Sequence, residues 1–172
     1  MKYFLLLSII FFVLYQSGNG CMKFKLDTTC ECSDILEFYD KINEETIPVI
    51  KKGGCKMSIT CATHTTTNFL FPLYTNQGEI LRPDDMMENR AYVGVADAVQ
   101  FSDEAYEAPP GPPIDIISHF GVLCDGGDWY VSKYPTGIGY NMKNLTLKYI
   151  GTNGEFDGKK ARIAQFSCKP LA

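Results

Sequence analysis

Histidine and tryptophan are nearly missing from this chain: its 172 residues hold two His and one Trp. Imidazole is the commonest metal ligand and the usual proton carrier near neutral pH. Two imidazoles leave little from which to assemble a histidine-based centre. Positive charge is also short, with 16 Lys and Arg against 20 Asp and Glu, a net charge of -4. A nucleic-acid binder needs a basic face for phosphates, so that class is set aside. No apolar run reaches the ~20 residues needed to span a bilayer. No Gly-X-Ser-X-Gly elbow is present to anchor a serine nucleophile, and no internal repeat is visible.

What is present suits a packed domain. The chain is 45% hydrophobic and 13% aromatic, which argues against wholesale disorder. Its length suits one domain with a sizeable core. The beginning reads as an address. Lys2 supplies a positive start, Phe4 to Leu14 is apolar apart from Ser8, and Gly18 and Gly20 place small residues before Cys21. That is the pattern of a secretory signal peptide over residues 1–20. The expected remainder, 21–172, is a single cysteine-rich domain that is secreted and extracellular.

All seven cysteines follow residue 20, and export sends them to an oxidising compartment. Cys30 and Cys32 have one residue between them and rarely bond each other, because the small ring strains the bridge. They are expected to reach different partners. Cys55 and Cys61 would lie ~20 Å apart on an extended strand and must also find distant partners. Cys124 and Cys168 are the natural candidates. Sequence alone does not choose among the connectivities that six cysteines allow. Cys21, first after the expected cut, is the spare. It is expected unpaired or joined to a second molecule as a disulfide-linked dimer. Asn144-Leu145-Thr146 is the one Asn-X-Ser/Thr triplet, an expected glycan acceptor on the surface.

Periodicity is helical first and then alternating. Ser33 to Ile47 reads as a helix, capped by Ser33 or Asp34 and ended by Pro48. Lys56 to Ala62, Thr65 to Tyr74, Ile116 to Cys124, Asp128 to Tyr134, Leu145 to Ile150 and Ala161 to Cys168 read as short strands between glycine-rich turns. The fold class expected is mainly β: a disulfide-stabilised, sandwich-like domain with a short N-terminal helix. Residues 79–115 stand apart, with nine acids against Arg82 and Arg90 and the run Ala108-Pro-Pro-Gly-Pro-Pro113. They are expected to form an acidic, proline-rich surface insertion carrying specificity.

Three stretches carry a resemblance. Gly54-Cys55-Lys56-Met57-Ser58-Ile59-Thr60-Cys61 resembles the Gly-Cys-(five residues)-Cys signature of the secreted six-cysteine domains of unknown function found in nematodes. Leu123-Cys124-Asp125-Gly126-Gly127-Asp128-Trp129 resembles that family's Cys, Gly, Trp segment, and Ala164 to Cys168 its last strand. This chain departs from the pattern in the Cys30–Cys32 spacing and in the long Cys61–Cys124 span. The resemblance implies a secreted, disulfide-held, mainly β domain and brings no catalytic residue.

Other candidate chemistry is sparse. Cys30, Cys32 and one of His64 or His119 could in principle ligate zinc, but the spacing matches no common template. Asp84, Asp85 and Glu88, or Asp125 and Asp128, lack the spaced loop of a calcium site. No metal, cofactor or catalytic residue is therefore assigned. The expected function is non-enzymatic, binding an extracellular protein or glycan. The alternatives are a protease inhibitor using the loop Tyr134 to Tyr140, or a glycan-binding domain using Trp129, Tyr130, Tyr134 and Tyr140.

Overall fold

The computed structural model describes residues 30–40, 49–76, 78–95 and 109–171. The expected signal segment and Cys21 lie outside them. The first described segment holds a 3-10 turn, Ile35–Phe38. Asp34 caps it, its side chain accepting from the Leu36 N–H at 3.1 Å. The expected helix over 33–47 is cut short at Tyr39, and 41–48 lie outside the described residues. The reason is tertiary. Asp40 N–H donates to the Phe166 carbonyl at 2.8 Å, and the Tyr39 and Phe166 rings pack 5.3 Å apart. A strand partner wins over local helix propensity.

The architecture is mainly β, and the described residues build three antiparallel sheets. One has the order β1 (Val49–Lys51), β2 (Met57–Ala62), β5 (Pro113–Asp115). A second runs β10 (Ala161–Arg162), β7 (Asp128–Val131), β6 (Leu123–Asp125). The third and largest runs β11 (Gln165–Ser167), β3 (Asn68–Phe71), β4 (Met86–Gly94), β8 (Ile138–Met142), β9 (Leu147–Ile150). Among the described residues no sheet closes into a barrel. One helical turn, α1 (Ile116–His119), follows β5.

All three sheets turn their apolar faces to one core. Phe69 and Phe71 of β3, Ala91 and Val93 of β4, Ile138 and Tyr140 of β8 and Phe166 of β11 point inward from the largest sheet. Ile59 and Cys61 of β2, and Trp129 and Val131 of β7, meet them from the other two. Phe69 stacks on Phe166 at 5.4 Å and meets the edge of Phe120 at 5.3 Å. Each large side chain fully buried in this way contributes roughly 1.5–3 kcal/mol.

The sheet pairing differs from two expectations. Residues 79–115 are not a surface insertion as a whole. Met86–Gly94 is the middle strand of the five-stranded sheet, paired on both sides, and Pro113–Asp115 pairs with β2. The acids at 84, 85 and 88 mask a strand whose pairing shifts register between Met86 and Ala91. Ile116 to Cys124, expected as one strand, is α1 followed by β6. Asp115 causes the break. Its Oδ1 accepts from the N–H groups of Ile59 and Ile117, at 3.1 and 3.3 Å, and its Oδ2 accepts from Ser118 Oγ at 2.9 Å. Those bonds start a turn of helix.

Candidate functional site

The six described cysteines form three bridges: Cys30–Cys55, Cys32–Cys124 and Cys61–Cys168. Cys30 and Cys32 do reach different partners. Cys55 is the surprise. It sits in the Gly53–Cys55 turn before β2, off the strand, where it meets the chain entry. Cys61 lies inside β2 with its side chain in the core, and Cys168 follows β11. Together the bridges lock the entry segment to two sheets and the last strand to β2.

The first two bridges are neighbours. The Sγ atoms of Cys30, Cys55 and Cys124 all lie within 4.8 Å of one another, and all three residues are half-buried. Among the described residues no other group of three Cys, His, Asp or Glu side chains comes this close. These sulfurs are in disulfides and carry no thiolate, the form that binds metal. Neither histidine joins them. His64 is buried, and its Nδ1 accepts from the Thr66 N–H at 3.1 Å and lies 2.7 Å from Thr66 Oγ1. It closes a turn. His119, on α1, packs its ring against the edge of Phe120, with its buried Nε2 lacking a hydrogen-bond partner. Burial, and then the charge of Lys133, lowers its pKa.

The acidic residues are mostly paired. Asp85 accepts from Tyr140 Oη and from Lys148 Nζ, both at 2.8 Å. Asp125 is paired with Lys160 and Asp128 with Arg162. Asp84 and Glu88 are exposed.

The aromatic residues proposed for sugar stacking are mainly core. Trp129, Tyr134 and Tyr140 are buried, and only Tyr130 is half-exposed. Trp129 lies opposite Cys124 in the β6–β7 pair and donates from Nε1 to the Ser33 carbonyl at 2.8 Å. Tyr134 Oη shares its proton between the carbonyls of Val131 and Lys159. The loop proposed to enter a protease cleft does not protrude. Tyr134, Gly137, Ile138 and Tyr140 are all buried, and Ile138–Met142 is an interior strand. Gly137 has φ of 78°, and a Cβ there would sit 2.5 Å from the Ile150 carbonyl oxygen, so only glycine fits the turn.

Sequence reading missed a different aromatic surface. Gln165, Leu70, Tyr92, Gly139 and Tyr149 stand in one register row across the five-stranded sheet. They occupy the face opposite the core. Tyr92 lies over Gly139, and its hydroxyl is 2.8 Å from that of Tyr149, with the two rings at 83°. Burial and the Tyr149 hydrogen bond push the Tyr92 phenol pKa well up. Asn68, Asn141 and Ser167 belong to the same face. The signal for it was the alternation of Ala91, Tyr92 and Val93, hidden inside the acidic stretch.

Asn144 is exposed in the turn between β8 and β9. Its Oδ1 accepts from Thr146 Oγ1 at 2.7 Å and from the Thr146 N–H at 3.2 Å, and Leu145 between them is 77% exposed at φ 66°. No helix among the described residues is long and apolar enough to cross a membrane.

Fold and bridges define a class: a mainly β, cysteine-rich domain of three antiparallel sheets fastened by intramolecular disulfides. Over residues 28–168 the chain matches the family described as TRA-1 regulated protein R03H10.4, and it belongs to that family. This is a nematode-type family of unknown function. No curated protein and no solved structure matches the chain.

Proposed function

We propose that this is a secreted, non-enzymatic extracellular domain that acts by binding. The observation behind the reading is the set of three disulfides joining residues 25, 92 and 107 apart in sequence. Such bridges persist in oxidising compartments, and the signal-like start supplies the route. The binding surface on this reading is the solvent face of the five-stranded sheet, with Leu70, Tyr92 and Tyr149 at its centre. Tyrosine supplies broad contact area together with a hydroxyl. Asn68, Asn141 and Gln165 add neutral donors and acceptors at its margin. That aromatic and amide-bearing chemistry also suits a neutral glycan, the second reading.

Expression from secretory cells tests the compartment. The expected product is found in the medium, gives no free thiol from the six bridged cysteines, and carries an Asn144 glycan removable by glycosidase and absent from Thr146→Ala. A reduced protein retained in the cytosol overturns the reading. Tyr149→Ala tests the surface. It is expected to weaken capture of extracellular-matrix proteins or glycans by the purified domain while leaving its disulfide map unchanged. Binding that survives Tyr149→Ala and Leu70→Ala moves the site elsewhere.

A further inference from the structure

We propose that Cys30–Cys55 and Cys32–Cys124 together form a thiol-exchange site, modified and rearranged by a low-molecular-weight thiol, while Cys61–Cys168 remains a structural bridge. Disulfide exchange needs a thiolate able to reach a second disulfide sulfur. The Sγ atoms of Cys30, Cys55 and Cys124 are within 4.8 Å of one another and half-buried. Cys61 lies wholly in the core and Cys168 is 5% exposed. Access and proximity therefore favour the first pair of bridges over the third.

The route follows from the spacing. A small thiolate attacks Cys55 Sγ, the Cys30–Cys55 bond breaks, and the electron pair leaves on Cys30. The Cys30 thiolate attacks Cys124 Sγ and expels Cys32 as thiolate. Cys32 then attacks Cys55 and releases the small thiol unchanged. The products are Cys30–Cys124 and Cys32–Cys55. The number of disulfides is conserved and nothing is oxidised or reduced overall. Attack on Cys30 instead would end in a Cys30–Cys32 bridge across one residue, which strains the S–S geometry. Cys30 and Cys32 thus exchange partners through a shift of the entry segment by two residues. Ser33 follows directly, and its carbonyl holds Trp129 Nε1. The one tryptophan of the chain reports the exchange.

The test uses the native full-length domain incubated with reduced glutathione, quenched in acid and alkylated. A Glu-specific protease cuts after Glu31 and separates Cys30 from Cys32. The expected maps contain Cys30–Cys124, Cys32–Cys55 and glutathionylated Cys55, with Cys61–Cys168 intact and a change in tryptophan emission. Removing Cys30 and Cys55 together as serines is expected to slow thiol opening of Cys32–Cys124 by roughly tenfold, because the intramolecular attacker is gone. Maps holding only native and fully reduced forms, or three bridges opening at one rate, overturn the proposal. So does opening of Cys32–Cys124 that is unchanged in the double variant. The wild-type maps decide the matter even where that variant folds poorly.

Discussion

A single hydrogen in place of a methyl group at Gly139 determines how the outer face of the large sheet is built. The Tyr92 ring lies where a Gly139 Cβ would project, and its hydroxyl reaches Tyr149 on the far strand. Gly139→Ala must push that ring aside and break the hydroxyl pair. The expected loss is about 1–3 kcal/mol, read as a lower urea midpoint. Adding Tyr92→Ala removes the clash, so the double variant should lose less than the sum of the two singles. Equal additivity would show that the ring can move freely. Tyr134 makes the opposite case, a buried phenol whose hydroxyl is needed. It donates toward Val131 and Lys159 carbonyls at 3.2 and 3.1 Å. Tyr134→Phe keeps the ring and removes the donor, for an expected loss of about 1–2 kcal/mol with no change in the disulfide map.

Between elements, polar clamps decide the pH response. Asp85, just before β4, is held below the ordinary carboxylate range first by Lys148 of β9 and then by Tyr140 of β8. Asp34 is lowered first by Lys51 of β1 and then by the Leu36 N–H. A depressed carboxyl stabilises the fold above its unfolded value, ~3.9, and that contribution is lost as pH falls through the folded value. His119 is also depressed, so the fold prefers it neutral. Its contribution is complete above ~6.5 and declines as pH falls below that. Urea midpoints measured from neutral to acid pH should therefore fall in two stages. His119→Gln should flatten the first, and Asp85→Asn with Asp34→Asn the second. Unchanged slopes in those variants would place the acid sensitivity in other groups. Topology adds a harsher test. Deleting 79–115 removes β4 from the centre of its sheet and should abolish recovery of a correctly bridged monomer. Recovery of that monomer would mean that β3 and β8 can pair directly. Strands with clean alternation, such as Met57–Ala62 and Asp128–Val131, were legible in the sequence. β4 was hidden because Glu88-Asn89-Arg90 interrupt the alternation where the pairing shifts register. β8 was hidden because Gly137 and Gly139 imitate a turn. At the site, the different destinations of Cys30 and Cys32 were legible from ring strain. The Cys30–Cys55 bond was not, since it depends on two loops meeting in space.

At the scale of the whole molecule, the three bridges do unequal work. Cys61–Cys168 spans 107 residues and ties β2 to the end of β11, joining two sheets through the core. Cys30–Cys55 spans 25 and ties the entry to a half-exposed turn. In the chain-entropy account a cross-link restricts the unfolded ensemble more as its loop lengthens, about 3 kcal/mol for short loops and nearly 5 for loops of ~100 residues. Replacing Cys61 and Cys168 by serine also places two hydroxyls where sulfur had filled the core, at a further cost for each that lacks a partner. The Cys61→Ser/Cys168→Ser variant should therefore lose about 5 kcal/mol or more, and Cys30→Ser/Cys55→Ser about 3–4. Guanidinium midpoints of the two variants, each against the intact protein, give the ranking directly. The bridges overlap along the chain, so only single-bridge removals can be compared in this way. The reverse ranking would mean that the entry segment, through its hold on Trp129 and Phe166, contributes more to the native state than the closure of the long loop takes from the unfolded one.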